Sequence, residues 1–421
     1  MSVITPVPDR LPHGSDLLAD ARVQRALDVL NPEGEETRIV GGAVRNALLG
    51  LKPGDIDLAT TMLPDAVLAR AKTARIRSIP TGIDHGTVTL RVGDLALEVT
   101  TLREDVDTDG RHAVVRFGRD FEADAERRDF TINALSLARD GRVFDSVGGL
   151  QDLAAGRVRF IGDAATRIRE DFLRILRFFR FHAWYGRGPL DDAGLRAVAA
   201  ERDGLQRLSR ERVRTEFLKL LGGVEVSPTV HAMAAAGILI PVLGAEADLA
   251  AFDAEVEAGP APDPILRLAA MAVRAPADVV RLRERLRLTN AEQARLLDML
   301  EAGRVMSVLP DPPELRRRLF DHGLAATADA LRHGFALGLS PRDRPPWARA
   351  TDDLRAMSLP VLPWSGSELK SAGLTGPRIG EALEVLRQRW ADAGFPDDEA
   401  ARRRIWREAV GQPDRPVGQG R

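Results

Sequence analysis

Short alternations of apolar and polar positions mark the first 160 residues, and helical spacing of apolar positions marks the rest. Arg38-Ile39-Val40 reads as a strand running into Gly41-Gly42, followed by a short helix over 43–49 that Gly50 ends. Asp55-Ile56-Asp57-Leu58-Ala59 reads as a second strand, and Pro64 opens a helix to about Ala71. Residues 85–92 and 95–102 alternate in strand fashion on either side of Gly93-Asp94, a hairpin pattern. The polar segment 103–118, with two glycines, reads as a mobile loop. Helical periodicity then runs over 168–184, 209–221, 264–274, 276–288, 291–306, 313–331 and 380–393. The expected fold is α+β: a mixed-sheet head followed by a helical remainder.

A chain of 421 residues suggests two to four domains. With no cysteine, disulfides and thiolate metal sites are excluded, and a cytoplasmic setting is expected. The start has no basic segment leading into an apolar core, so no secretory signal is read there. No apolar run reaches the roughly 18 residues of a membrane span. The first 15 or so residues read as a loose arm, and the segment beyond Gln412 as disordered.

Net charge is −2, but it is unevenly placed. Between Arg157 and Lys219 there are 15 Lys/Arg and 9 Asp/Glu, a local +6 that leaves −8 for the rest. A basic middle in an acidic chain fits a polyanion partner, and equally a set of solvated helix faces.

Candidate chemistry starts at Asp55 and Asp57. About nine acidic pairs at this spacing arise by chance at this composition, so the setting decides. On a strand the two carboxylates point to one side, while Ile56 and Leu58 point into a core. Two such carboxylates suit Mg²⁺, which prefers oxygen ligands. Upstream, Gly41-Gly42 allows backbone N–H groups close to a phosphate, and Arg45 can reach the same anion. The plainer alternative is a structural turn beside a surface acidic pair. Glu98, on the second strand of the hairpin, is either a third carboxylate, as metal ligand or base, or an exposed strand residue. Arg127 and Arg128 precede Asp129 and Thr131, either of which would cap a following helix and bring Arg128 to its N-terminus. Asp171, Arg174, Arg177 and Arg180 recur every three residues, as a polar stripe on an apolar helix. Asp171 and Arg174 read either as a pair for a nucleobase edge or as an intrahelical salt bridge.

These strings resemble the motifs of class II tRNA nucleotidyltransferases and bacterial poly(A) polymerases. Gly41-Gly42-Ala43-Val44-Arg45 with Asp55-Ile56-Asp57 is similar to the first motif, and the stretch from Arg127 to Ala134 to the second. Asp145-Ser146-Val147-Gly148-Gly149 resembles the third, Glu170-Asp171-Phe172-Leu173-Arg174 the nucleotide-selecting motif, and Glu211-Arg212-Val213-Arg214-Thr215-Glu216 the last. The resemblance covers roughly 40–220. It implies a polymerase-beta-like nucleotidyltransferase head (23–162) after an arm (1–22). A helical neck (163–225), a helical body (226–345) and an RNA-binding helical tail (346–421) would follow. It implies template-independent addition of CCA to tRNA 3′ ends from CTP and ATP by two-magnesium catalysis. A monomer is expected, although the sequence does not reveal the oligomeric state. Asp55 and Asp57 would be the metal ligands, and Gly42, Arg45, Arg128, Asn133, Asp171, Arg174, Arg177 and Arg180 the nucleotide ligands. The loop over 103–118 would help switch between C and A addition.

The chain departs from the pattern at Asn46, where Asp is usual, and at Ser146-Val147, where Pro-Phe is usual. No His-Asp motif stands in the C-terminal half, which argues against a phosphohydrolase domain. The nearest alternatives are poly(A) polymerase or addition of only part of CCA. A non-catalytic RNA-binding protein and a metal-dependent phosphohydrolase are the alternatives from other classes.

Overall fold

Seven strands form the large sheet of the protein, in the order β3-β4-β5-β2-β1-β8-β9. They are β1 (Thr37–Val40), β2 (Ile56–Thr60), β3 (Arg77–Gly82), β4 (Thr87–Val92), β5 (Leu95–Thr101), β8 (Ser136–Leu137) and β9 (Val143–Phe144). β6 (Arg103–Val106) and β7 (Val114–Phe117) pair separately as a ribbon. The computed structural model describes residues 8–12, 14–106, 114–258, 261–304, 309–338 and 344–410. The chain divides into two compact units, residues 1–245 and 246–421.

In the first unit, β2 and β5 run parallel while the other neighbours in the sheet are antiparallel. The hairpin expected around Gly93-Asp94 is β4–β5, paired from Thr87↔Thr100 to Val92↔Leu95. Helices α1 (Asp16–Ala19), α2 (Ala21–Leu30), α3 (Gly42–Leu48) and α4 (Pro64–Thr73) belong to the sheet region. After α5 (Phe121–Glu126) and α6 (Gly149–Ala155) the unit is helical: α7 (Ala164–Glu170), α8 (Leu173–Tyr185), α9 (Asp192–Ala200), α10 (Arg210–Leu221), α11 (Val226–Ala235) and α12 (Leu239–Leu243). Phe130, Phe160, Phe178 and Phe181 join sheet to helices, with ring centroids 4.7 Å apart for Phe130–Phe160 and 5.5 Å for Phe160–Phe178. Burying such rings stabilises by a few kcal/mol each, roughly 25 cal/mol per Å² of apolar surface.

Four sequence expectations need correction here. Residues 9–11 are tied down: Leu11 is buried and its N–H donates to the Gly141 carbonyl at 2.8 Å. The other segments read as arm and disordered tail, 1–7 and 411–421, lie outside the described residues. The loop over 103–118 contains the β6–β7 ribbon, paired from Arg103↔Phe117 to Val106↔Val114, because valine and phenylalanine suit strands; 107–113 lie outside the described residues. No helix begins at Asp129 or Thr131. Phe130 bridges to Phe160, the Thr131 N–H donates to the Arg159 carbonyl at 3.0 Å, and only a 3₁₀ turn over Thr131–Asn133 forms before β8. Finally, the helix expected over 168–184 breaks at Asp171, which is extended (φ −153°, ψ 107°) and accepts from the Leu173 N–H at 3.1 Å. Aspartate is a strong cap, and here it ends one helix and starts the next.

The second unit has helices and no strand among its described residues: α13 (Leu249–Ala258), α14 (Pro264–Ala272), α15 (Pro276–Leu286), α16 (Asn290–Ala302), α17 (Pro312–Gly338), α18 (Arg344–Ala356), α19 (Gly366–Ser371), α20 (Pro377–Asp392) and α21 (Glu399–Val410). Gly323 kinks α17 at φ 77°, ψ 172°, a conformation that requires glycine. Leu369, Leu386, Trp390, Phe395 and Ile405 form the core shared by the last three helices. No helix among the described residues is long and apolar enough to cross a membrane.

Candidate active site

A cavity of about 830 Å³ opens in the first unit between the sheet and α8. All eleven residues singled out from the sequence line it: Gly42, Arg45, Asp55, Asp57, Glu98, Arg128, Asn133, Asp171, Arg174, Arg177 and Arg180.

One wall is acidic. β2 buries Ile56 and Leu58 and turns Asp57 outward, with Asp55 one step before the strand. The parallel pairing of β2 with β5 sets Glu98 directly beside Asp57. Enclosure first, and then the charges of Glu98 and Asp55, push the Asp57 carboxyl above its usual range, against the pull of Arg128. A divalent cation relieves this kind of crowding, so the donor set fits Mg²⁺. No group of three or more His, Asp or Glu side chains that could hold a metal is found among the described residues. Magnesium commonly takes one or two carboxylates and completes its shell with water and substrate phosphates.

The opposite wall is basic. Arg45, Arg177 and Arg180 surround the Phe181 ring, their guanidinium carbons 5.2, 5.2 and 4.1 Å from its centroid. Arg177 is bound by Asp129 through Nε at 2.6 Å and Nη2 at 2.5 Å, and Arg180 by Glu216 at 2.6 Å. Arg45, only 5% exposed, donates to the Asn133 side-chain oxygen, which faces it because the Asn133 amide donates to Asp129 at 3.1 Å. Burial lowers the pKa values of Arg45 and Arg180, yet guanidinium stays charged at any working pH. Arg128 is anchored to Asp124 at 3.1 Å and donates to the Asn133 carbonyl at 3.3 Å. It follows the C-terminal end of α5, so its expected place at a helix N-terminus is not found.

Gly41 sits where the sheet delivers the chain to the cavity. Its φ is 72°, and a Cβ there would lie 3.1 Å from Arg128 Nη1. Glycine is therefore required by both backbone and neighbour.

Asp171 and Arg174 share the cavity but do not pair with each other. Asp171 accepts from Arg212 of α10 at 2.7 Å, while Arg174 pairs with Glu170 at 2.5 Å and donates to the Arg167 carbonyl at 2.9 Å. The intrahelical Asp171–Arg174 salt bridge is thus absent. The Arg174 backbone N–H donates instead to the Asp171 carbonyl at 2.9 Å. Sequence reading also missed Asp129 as the hub between Arg177 and Asn133, and Arg212 as the partner of Asp171. Arg212 was quoted only inside a motif, and its pairing across 41 residues leaves no local signal.

A carboxylate edge for a cation facing an arginine wall for an anion is the layout of a nucleotide triphosphate site. The sequence profile described as the poly A polymerase head domain matches residues 37–159. The one described as the probable RNA and SrmB-binding site of polymerase A matches 190–247. The mitochondrial CCA tRNA nucleotidyltransferase 1 of Mus musculus is 37% identical over 382 residues, spanning 86% of this chain and 84% of the relative. The chain belongs to the CCA tRNA nucleotidyltransferase family. It is a nucleotidyltransferase. A CCA-adding enzyme of Leuconostoc citreum is 39% identical over 206 residues, 48% of this chain and 49% of that one. The solved CCA-adding enzyme of Bacillus stearothermophilus, in complex with CTP, superposes with a TM-score of 0.71 at 27% identity, covering 92% of this chain and 96% of that chain. Its likeness confirms the α+β arrangement of a nucleotidyltransferase head with a helical remainder.

Proposed function

We propose that this enzyme adds CCA to tRNA 3′ ends from CTP and ATP without a template, with Asp55 and Asp57 holding magnesium. The observation that carries the reading is the cavity itself. The carboxylate edge of Asp55 and Asp57 faces Arg45, Arg128, Arg177 and Arg180, with Asp171 and Arg174 at the same opening. The names of the mouse and bacterial relatives support CCA addition over poly(A) synthesis.

In this reading Asp55 and Asp57 would hold magnesium, which would supply positive charge for the phosphates and the attacking oxygen. The tRNA 3′-hydroxyl attacks the α-phosphate, the bond to pyrophosphate breaks, and the hydroxyl proton leaves to a base. Gly42 lets the backbone approach the phosphates. Arg45, Arg128, Arg177 and Arg180, with Asn133 holding Arg45, bind the triphosphate, and guanidinium forks suit phosphate oxygens. Asp171 offers acceptors and Arg174 donors to a base edge, so side chains choose the nucleotide. Glu98 supplies a third carboxylate beside Asp57.

The division into head 23–162, neck 163–225, body 226–345 and RNA-binding tail 346–421 belongs to the same proposal. Arg402, Arg403 and Arg407 on α21, beside Trp364 and Trp406, support RNA contact by the tail. We place the enzyme in the cytoplasm, as a monomer; the named mouse relative is mitochondrial. The test is incorporation of labelled nucleotide into tRNA lacking CCA, in magnesium and in chelator, by the native protein and by Asp55→Ala. Native incorporation that magnesium supports and Asp55→Ala loses bears the reading out, and incorporation that survives in Asp55→Ala overturns it.

A further inference from the structure

Arg45 differs from the other arginines of the cavity in how it is held. Arg177 and Arg180 each bind a carboxylate, whereas no ion pair of Arg45 is found among the described residues. Its guanidinium is gripped by neutral groups, and the nearest carboxylate acting on it, Asp129, reaches it only through space, behind Asn133.

Two of those groups close a triangle. Arg45 Nη2 donates to the Tyr185 hydroxyl at 2.8 Å, and the hydroxyl donates to Asn46 Oδ1 at 3.1 Å. Asn46 Oδ1 also accepts from Arg45 Nη2 at 3.0 Å and Nε at 3.2 Å. The Asn46 amide nitrogen donates to the Lys52 carbonyl at 3.1 Å, which leaves the oxygen facing the triangle. Below it, the Tyr185 ring lies 3.9 Å from the guanidinium carbon, so the plane is held on its face and along its edge.

Tyr185 is the only tyrosine in the chain and the last residue of α8, the helix that carries Arg177 and Arg180. Arg45 and Asn46 come from α3, which follows Gly41. The triangle therefore couples the glycine turn to the arginine helix. A phenol suits this place because it accepts from a cation and donates to an amide oxygen at once. An aspartate at position 46 would bind Arg45 and cancel its charge, while asparagine keeps the bonds and leaves the charge available.

We propose that Tyr185 and Asn46 are positioning residues that hold the Arg45 guanidinium, which binds no carboxylate directly, in line with Arg177 and Arg180 for the phosphates of the incoming nucleotide. This rests on the reading of Arg45 as a nucleotide ligand. Tyr185 stands behind the cavity and Asn46 at its edge, and both act through Arg45.

The test is steady-state addition of one nucleotide to truncated tRNA by the full chain. Tyr185→Phe keeps the ring and removes both hydroxyl bonds. It raises KM for the nucleotide about five- to twentyfold, the scale of losing a bond to a charged group. Its kcat stays within about twofold, as for binding shared by ground and transition states. Asn46→Ala changes KM in the same direction, and reaches the question independently if Tyr185→Phe folds poorly. In an Arg45→Gln background Tyr185→Phe adds no further change, because the interaction it serves is already gone. The inference is overturned if Tyr185→Phe and Asn46→Ala leave KM within twofold while Arg45→Gln raises it. It is overturned too if Tyr185→Phe raises KM equally with and without Arg45. If Arg45→Gln itself leaves KM unchanged, the underlying assignment of Arg45 fails instead.

Discussion

Replacing Asp129 with alanine tests whether the basic wall of the cavity is built on one buried carboxylate. Asp129 accepts from Arg177 Nε at 2.6 Å and Nη2 at 2.5 Å, from the Phe130 N–H at 2.9 Å and from the Asn133 amide at 3.1 Å. Alanine strands two buried donors, which cost about 1 kcal/mol each when water from the adjoining cavity reaches them. The Arg177 side chain is 30% exposed and can turn toward that cavity, so its loss is nearer about 1 kcal/mol than the several expected of a sealed pair. The first unit should therefore lose about 3 kcal/mol, or roughly 150-fold in opening equilibrium. Hydrogen exchange of the α8 amides reads this directly, since protection there reports local and global opening of the first unit. Nucleotide KM should rise about tenfold or more, because Arg177 is no longer aimed and Asn133 no longer fixed against Arg45. Exchange within threefold of the native rate, with KM unchanged, would refute the hub.

Other perturbations follow from the same geometry. Arg212→Ala frees Asp171 from a half-exposed pair, so stability changes by less than about 1 kcal/mol. Its selectivity between CTP, ATP and the other triphosphates, measured in competition, should loosen about tenfold; unchanged selectivity would show that Arg212 does not hold Asp171 for its task. Gly41→Ala places a Cβ at φ 72° against Arg128, which costs about 1 kcal/mol or more and raises nucleotide KM; a variant with native KM would count against the close approach. In the second unit, burial lifts Glu255 to about 7 despite its pairing with Arg332, and lowers His333 to about 4. The raised carboxyl loses stability as pH rises from 4.5 through 7, and the depressed imidazole loses it as pH falls from 6.5 toward 4. The two slopes cancel between 4.5 and 6.5, so the joint contribution of Glu255 and His333 is level there. Glu255→Gln should instead gain about 1.4 kcal/mol per pH unit across that window. Four of the five tryptophans (347, 364, 390 and 406) lie in this unit, so urea unfolding followed by their fluorescence reads the slope, and a level profile in the variant contradicts it.

Much of the site was legible because its signals are local. The alternation around Ile56 and Leu58 sets Asp55 and Asp57 on the cavity side, and Gly41 marks the turn. The hairpin that carries Glu98 was readable for the same reason. What escaped was set by tertiary partners. Asp171 was read as part of one helical stripe, since three-residue spacing fits a helix whether or not it is interrupted. The break depends on its own cap, and its partner Arg212 stands on α10. Asp129 was read as a cap because Asp before Thr is a helix start, yet pairing of Phe130 with Phe160 holds that backbone extended. The β6–β7 ribbon hid in a segment whose glycines and charges outweighed its three valines. Leu11, near the end of a proline-rich stretch, showed nothing local of its docking against Gly141.

The most direct measurement is the sequence of the 3′ end made on a tRNA ending before CCA, with CTP alone, ATP alone and both together. A site whose side chains choose the nucleotide should add two C residues with CTP alone, nothing with ATP alone, and CCA with both before stopping. Continued addition of A, or addition of A with no C before it, would contradict the account.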